Sequence, residues 1–190
     1  TLLILAIFAV NVMGQDPTKA WKDAGKELNK YRMDSEKVDN LGNAKTKIDE
    51  AIAGIDQIAA KLHAKVYDRA GDIYFDIANN PNLKAKTPTA ANTSMEYYTK
   101  TSEIGKDFQK EAGGKKLPDL GNVFVKDGQD LYEGKKFADA LAAFENALAC
   151  KNKIAERGNK ASLFLITPDQ ENAIMLYAGF AAYNAENFDV

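Results

Sequence analysis

Between Gly121 and Asn152 the chain reads GNVFVKDGQDLYEGKKFADALAAFENALACKN. This stretch holds two amphipathic helical patterns joined by a turn too short to let them separate, so the two helices must pack on each other. Phe124, Gly128 and Leu131 recur at helical spacing in the first pattern. Ala140, Phe144, Ala147 and Leu148 do so in the second, which gives one buried stripe per helix. Gly134 stands between them as the breaker. Gly128 and Ala140 are small where the stripes would cross. The backbones can therefore approach closely while Phe124, Leu131, Phe137 and Phe144 fill the remaining space.

The first-helix pattern recurs as WKDAGKEL around Gly25, YDRAGDIY around Gly71 and MLYAGFAA around Gly179. A large apolar residue stands four before each glycine (Trp21, Tyr67, Phe124, Met175), and Leu28, Tyr74, Leu131 or Ala182 stands three after it. The second-helix pattern recurs as Ala44, Ile48 and Ala51 and, beyond a long insertion, as Ser94, Tyr98 and Thr101. These spacings resemble the tetratricopeptide repeat, a helix-turn-helix unit of about 34 residues. The chain departs from that family in two respects. Asn152 stands where a proline usually closes the unit, and the four glycines are spaced more widely than tandem repeats would be.

The resemblance implies an all-α fold, a right-handed α-solenoid of antiparallel helix pairs with about seven helices. Repeats are expected at about 18–57, 64–107 and 121–154, with a half repeat at 172–190. Val190 falls one residue before the Ala that would open an eighth helix. The seventh helix is apolar nearly all round (Ile174, Met175, Leu176, Tyr177, Phe180, Tyr183) and needs neighbours on more than one side, so the gene product is expected to continue past Val190. The family is a scaffold for many partners, and the resemblance specifies architecture more than biochemistry.

Local signals place the elements. Asp16-Pro17 is an N-cap followed by Pro at the first helical position. The first helix runs from there to Met33, the second from Asn43 to Ala60 and the third from Leu62 to Ile77. Two prolines with clustered Asn and Thr make Asn79 to Pro88 a loop. The fourth helix is expected from Thr87-Pro88 to Gly113-Gly114, and the sixth is expected to continue to Arg157 before Gly158. Ser162 to Ile166, SLFLI, lies outside the repeat pattern, either packed on a neighbouring helix or offered to a partner. Thr167-Pro168-Asp169-Gln170 is a capping box for the seventh helix.

Leu2 to Val10 is a short apolar run, followed by Val12 and Gly14 at positions suited to cleavage. It resembles a secretory signal, residues 1–14, and falls well below the ~20 residues needed to span a bilayer. A soluble exported protein beginning at Gln15, periplasmic or extracellular, is expected, with no stable membrane span after cleavage. No Cys follows the cleavage site to carry a lipid. Cys150, the single cysteine, excludes an intrachain disulfide and a Cys-based zinc site and fits as small core filling.

With 25 basic and 27 acidic residues interspersed, the chain has no basic field to hold a phosphate backbone, and nucleic acid is not an expected partner. His63 is the only histidine, which excludes mechanisms needing two imidazoles. No phosphate-binding or dinucleotide fingerprint occurs, and no carboxylate pair stands out. No catalytic residue, cofactor or metal is assigned, and the chain is read as a non-enzyme.

The family's concave groove is lined by first helices. There the equivalent positions are Lys22, Lys26, Lys30; Asp68, Asp72, Asp76; Val125, Gln129, Glu133; and Leu176, Phe180, Asn184. The lysine and aspartate stripes are expected to neutralise each other rather than hold a charged ligand. The family's carboxylate clamp does not carry over, because Lys26 and Asp72 occupy the position of its key Asn. An adjacent line, Asn29, Phe75, Tyr132 and Tyr183, suits an extended peptide or a helix, or else packs between repeats. The candidate partner-binding residues are thus Phe75, Tyr132, Tyr183, Val125, Gln129 and Phe180. The function expected is a protein-interaction scaffold or adaptor with a protein or peptide partner. The alternatives are a glycan-binding protein on the same scaffold, or a non-catalytic part of a larger enzyme complex.

Overall fold

A computed structural model of the chain describes residues 16–105, 107–155 and 168–186. The expected signal, the SLFLI run and the sixth helix's end at Arg157 lie outside the described residues. The architecture is all-α, with no strand among the described residues. The helices are α1 (Pro17–Met33), α2 (Val38–Ala53), α3 (His63–Asn79), α4 (Pro81–Lys84), α5 (Ala90–Ile104), α6 (Asp107–Glu133), α7 (Phe137–Ala155) and α8 (Pro168–Glu186). α1 packs on α2, α3 on α5 and α6 on α7. The pairs are joined by α2 against α3 and by α5 against α6, and α8 packs on α7.

The repeated stripes form the seams. α1 buries Ala20, Ala24, Gly25 and Leu28 against Leu41, Ala44, Ile48 and Ala51 of α2. α5 buries Ser94, Tyr98 and Thr101 against α3, so the recurrence across the long insertion is structural. The two buried hydroxyls find backbone acceptors: Ser94 Oγ donates to the Gly71 carbonyl at 2.9 Å, and Thr101 Oγ1 donates to the Tyr97 carbonyl at 2.9 Å. Polar residues thus occupy a core stripe without an unpaired group. One continuous core runs from α1 to α7. A smaller cluster, Ala140, Phe144, Ile174 and Ala181, joins α7 to α8.

Asp16 caps α1 as expected, its Oδ1 accepting from the Thr18 N–H at 2.9 Å with Pro17 next. Other boundaries differ from expectation. α2 begins at Val38 and not at Asn43, because the buried stripe extends back to Leu41; Gly42 lies inside the helix with open space around it. α2 stops at Ala53 rather than Ala60. Gly54 ends it where a Cβ would meet the Pro17 ring at 2.3 Å, and two 3₁₀ turns, Ile55–Gln57 and Ala60–Leu62, lead to α3. The loop after Asn79 contains the single turn α4, capped by Asn80 Oδ1 accepting from the Asn82 and Leu83 N–H groups. α5 starts at Ala90, not at Thr87-Pro88.

The largest departure is at Gly113-Gly114, where the fourth helix was expected to end. α5 already ends at Ile104, and α6 runs through both glycines and through Pro118. A proline inside a helix removes one N–H and crowds the preceding turn, at a cost of ~3 kcal/mol. Leu117 and Leu120, both fully buried on either side of it, supply the offsetting burial. At the end of α6 the residue in the left-handed region is Lys135 (φ 58°), not Gly134. The Lys136 N–H reaches the Leu131 carbonyl at 2.9 Å and the Lys135 N–H reaches that of Tyr132 at 3.0 Å, a Schellman cap that turns the chain into α7.

Candidate functional site

α3 presents Asp68, Asp72 and Asp76 at spacings of four, on one helix face. Their partners are not the lysines of α1. Arg32, in the last turn of α1, donates from Nε to Asp76 at 2.8 Å and lies 3.4 Å from Asp72. Lys116 of α6 reaches Asp68 at 2.9 Å and Asp72 at 2.6 Å, and the Tyr98 hydroxyl donates to Asp72 at 2.8 Å. Lys26 and Lys30 instead pair within α1, with Asp23 at 2.7 Å and Glu27 at 2.6 Å. The expected mutual neutralisation of the two stripes is therefore corrected. Same-helix acids three residues away capture the lysines, and the planar guanidinium of Arg32 spans two carboxylates. Burial raises the Asp68 and Asp76 carboxyls above their ordinary value, opposed by Lys116 and Arg32 respectively. The Tyr98 hydroxyl is pushed far up by burial and by the charge of Asp72. The network ties α1, α3, α5 and α6 together.

The aromatic line divides. Asn29 is exposed, and Phe75 is half-buried against the main core. Tyr132 is half-buried between α6, α7 and α8: its ring meets Phe137 edge-on at 5.2 Å and Tyr177 at 6.1 Å, with Asn184 Nδ2 3.5 Å from its hydroxyl. Val125 is half-buried beside both core clusters, whereas Gln129 is exposed. Phe180 and Tyr183 are 48% and 68% exposed. Tyr132 meets Tyr177 and Asn184 of α8, Phe180 and Tyr183 stay exposed, and Phe75 belongs to the main core.

An aromatic group outside the expected line lies between α3 and α5. Tyr67 stacks on Tyr97 at 6.0 Å, Tyr74 meets Tyr97 at 5.8 Å, and Lys100 sits over both Tyr67 and Tyr97 at 5.6 Å. Tyr67 and Tyr74 at i and i+7 were visible as one face, but their partner Tyr97 sits beyond the insertion. Trp21 is half-buried with the Arg69 guanidinium 5.3 Å above its ring, so it offers no open platform. His63 is half-buried, its Nε2 2.8 Å from the Ile58 carbonyl oxygen. Cys150 is buried, its Sγ 3.6 Å from Met95 Sδ. No group of three or more His, Cys, Asp or Glu among the described residues is placed to hold a metal ion.

The recurring glycines separate into two kinds. A Cβ on Gly71 would meet the Tyr98 ring at 2.4 Å, and one on Gly128 would meet the Phe144 ring at 2.6 Å. On Gly25 it would meet the Arg69 guanidinium at 2.2 Å. On Gly179 it would meet nothing within 4 Å. Gly179 lies on a face of α8 where Met175, Leu176, Phe180 and Tyr183 are all exposed.

No family model, curated protein or solved structure matches the chain. Among the described residues, no helix is long and apolar enough to cross a membrane.

Proposed function

We propose that the chain is a non-catalytic protein-interaction scaffold, built on tetratricopeptide-like helix pairs and exported to the periplasm or the cell exterior. The observation that carries this is the concentration of exposed apolar side chains on one helix. Met175, Leu176, Tyr177, Phe180 and Tyr183 of α8 are 42–68% exposed, whereas Met33 and Ile104 are the other large exposed apolar residues among those described. Contiguous apolar area of this kind marks an interaction surface rather than ordinary exposure. Aromatic side chains supply large area at low entropic cost, and they dominate binding energy where they are desolvated. Phe180 and Tyr183 are the anchors in this proposal, beside the α7–α8 cluster on which Val125 and Tyr132 pack. Export is supported by the Leu2 to Val10 run and the small residues after it.

Affinity capture from cells that make the protein natively, with the parent chain and a Phe180→Ser, Tyr183→Ser variant side by side, tests the proposal. A specific protein recovered with the parent and lost with the variant is expected. Recovery of no specific protein with either would remove the scaffold function. Intact-mass measurement of the periplasmic fraction should find Gln15 as the N-terminus, and residues before Gly14 kept in a membrane fraction would place the scaffold there instead.

A further inference from the structure

The carboxylates of α3 are matched without the lysines of α1. Asp72 and Asp76 take Arg32 from the last turn of α1, and Asp68 and Asp72 take Lys116 of α6. The lysines of α1 are therefore left to solvent. Lys19, Lys22, Lys26 and Lys30 are all exposed and stand three or four residues apart, on the side of α1 opposite the buried Ala20, Ala24 and Leu28. Met33, 88% exposed, continues the same line three residues on. From Lys19 to Met33 the line is ~21 Å long at the helical rise of about 1.5 Å per residue.

Acids near this line are few. Asp23 and Glu27 flank it, half-buried, and hold Lys26 at 2.7 Å and Lys30 at 2.6 Å. Exposed pairs of this kind hold their lysines weakly. Among the described residues, no hydrogen bond or ion pair involves Lys19 or Lys22. At the two ends of the helix, Asp16 Oδ1 accepts from the Thr18 N–H and Asp34 pairs with Lys37. Four lysines against two flanking acids leave the face basic, on a chain whose net charge is -2. Such a chain repels acidic partners over most of its surface, so a local basic face selects where one lands. A lipid surface would ask for apolar side chains interleaved with the lysines, and the line has one, Met33, at its end.

We propose that this face of α1 is the docking surface for an acidic segment of a partner protein. Asp and Glu side chains of that segment match Lys19, Lys22, Lys26 and Lys30, and one apolar residue meets Met33. Recognition is of side-chain charge along a line and needs no chain terminus. The proposal rests on the scaffold function above and gives the partner's chemistry on a helix apart from α8.

The probe is a labelled oligoglutamate of about 14 residues with an amidated C-terminus, long enough to follow the line as a helix. Titrated against the full chain by fluorescence anisotropy, it should bind saturably, and binding should weaken as salt shortens the screening length. An oligoglutamine of the same length should not bind. Lys19→Glu combined with Lys22→Glu should weaken binding by about tenfold or more. The same reversal at Lys61 and Lys65, exposed elsewhere, alters net charge equally and should weaken binding far less. All four positions are exposed, so circular dichroism melts matching the parent separate a lost surface from a lost fold. Absence of saturable binding, or equal loss from the two double reversals, overturns the proposal. So does binding through Lys19 and Lys22 to phosphatidylglycerol vesicles with none to oligoglutamate, which would make a lipid surface the occupant. A native partner lost with Phe180→Ser, Tyr183→Ser but kept with Lys19→Glu, Lys22→Glu would overturn this surface and leave the scaffold function standing.

Discussion

α6 and α8 carry the same spacing around a glycine, yet Phe124 is 3% exposed and Met175, four residues before Gly179, is 56% exposed. Both helices are apolar enough to want two neighbours. Among the described residues α6 packs along α5 and α7, whereas α8 packs mainly on α7, with Tyr132 of α6 meeting Tyr177. The difference lies in what faces the stripe, because burial is a property of the pair of helices and not of either one. A single repeat cannot bury its own stripe.

The widest separation between the two regions should come from ring deletion. Phe144→Ala removes a fully buried ring from the α6–α7 seam and should cost ~3–5 kcal/mol in chemical denaturation. Phe180→Ala, half-exposed on α8, should change stability by no more than ~0.5 kcal/mol. Similar costs at the two sites would mean that α8 is covered after all.

Next comes the matched glycine pair. Gly128→Leu drives a side chain into the Phe144 ring and should destabilise by ~1–3 kcal/mol or more, visible as a lowered melting midpoint. Gly179→Leu should leave the midpoint unchanged or raise it slightly, since Leu is the better helix former and meets nothing. An unchanged midpoint for Gly128→Leu would show that α6 and α7 do not cross at that residue.

Smaller effects should come from the polar tie that joins α1, α3, α5 and α6. Tyr98→Phe keeps the ring on Gly71 and deletes the hydroxyl's donation to Asp72, which retains Arg32 and Lys116 as partners. A loss of ~0.5–1.5 kcal/mol is expected in urea titration. A loss as large as that from Phe144→Ala would make the carboxylate network, and not the apolar seams, the main tie.

The least effect concerns pH. Burial raises the Asp76 carboxyl in the folded chain, against the pull of Arg32. For a group raised on folding, its stabilising contribution is fully present below the unfolded value and is lost as pH rises through the folded one. The window thus opens near the ordinary 3.8 and extends upward. Asp76→Asn has no such titration, so its melting midpoint relative to the parent should rise from acid to neutral pH across that window. A relative midpoint that falls over the same range would mean that Arg32 outweighs burial at this site.

Much of the candidate site was legible beforehand. The glycine spacing located the α3–α5 seam at Gly71 and the α6–α7 seam at Gly128, and α8 reads as apolar nearly all round, in keeping with the exposure of Phe180 and Tyr183. The charge pairing was not legible. From sequence, Lys26 and Asp72 are plausible neighbours on adjoining stripes, but side-chain reach favours Asp23 for Lys26 and brings in Lys116 from α6. Tyr132 was equally suited to a groove or to a seam, and the choice depended on where Phe137 and Tyr177 came to rest.

By itself the sequence determined the helical class, the paired stripes and the small residues at each crossing, because apolar periodicity and glycine placement are local and act through the nearest turn or two of chain. Tertiary structure alone decided that α6 runs through Gly113, Gly114 and Pro118. A breaker's cost of a few kcal/mol is outweighed when long-range burial of residues such as Leu117 and Leu120 favours one continuous helix. Tertiary structure also decided which of four similar glycines holds a ring and which lies open, since that depends on a second helix arriving from elsewhere in space.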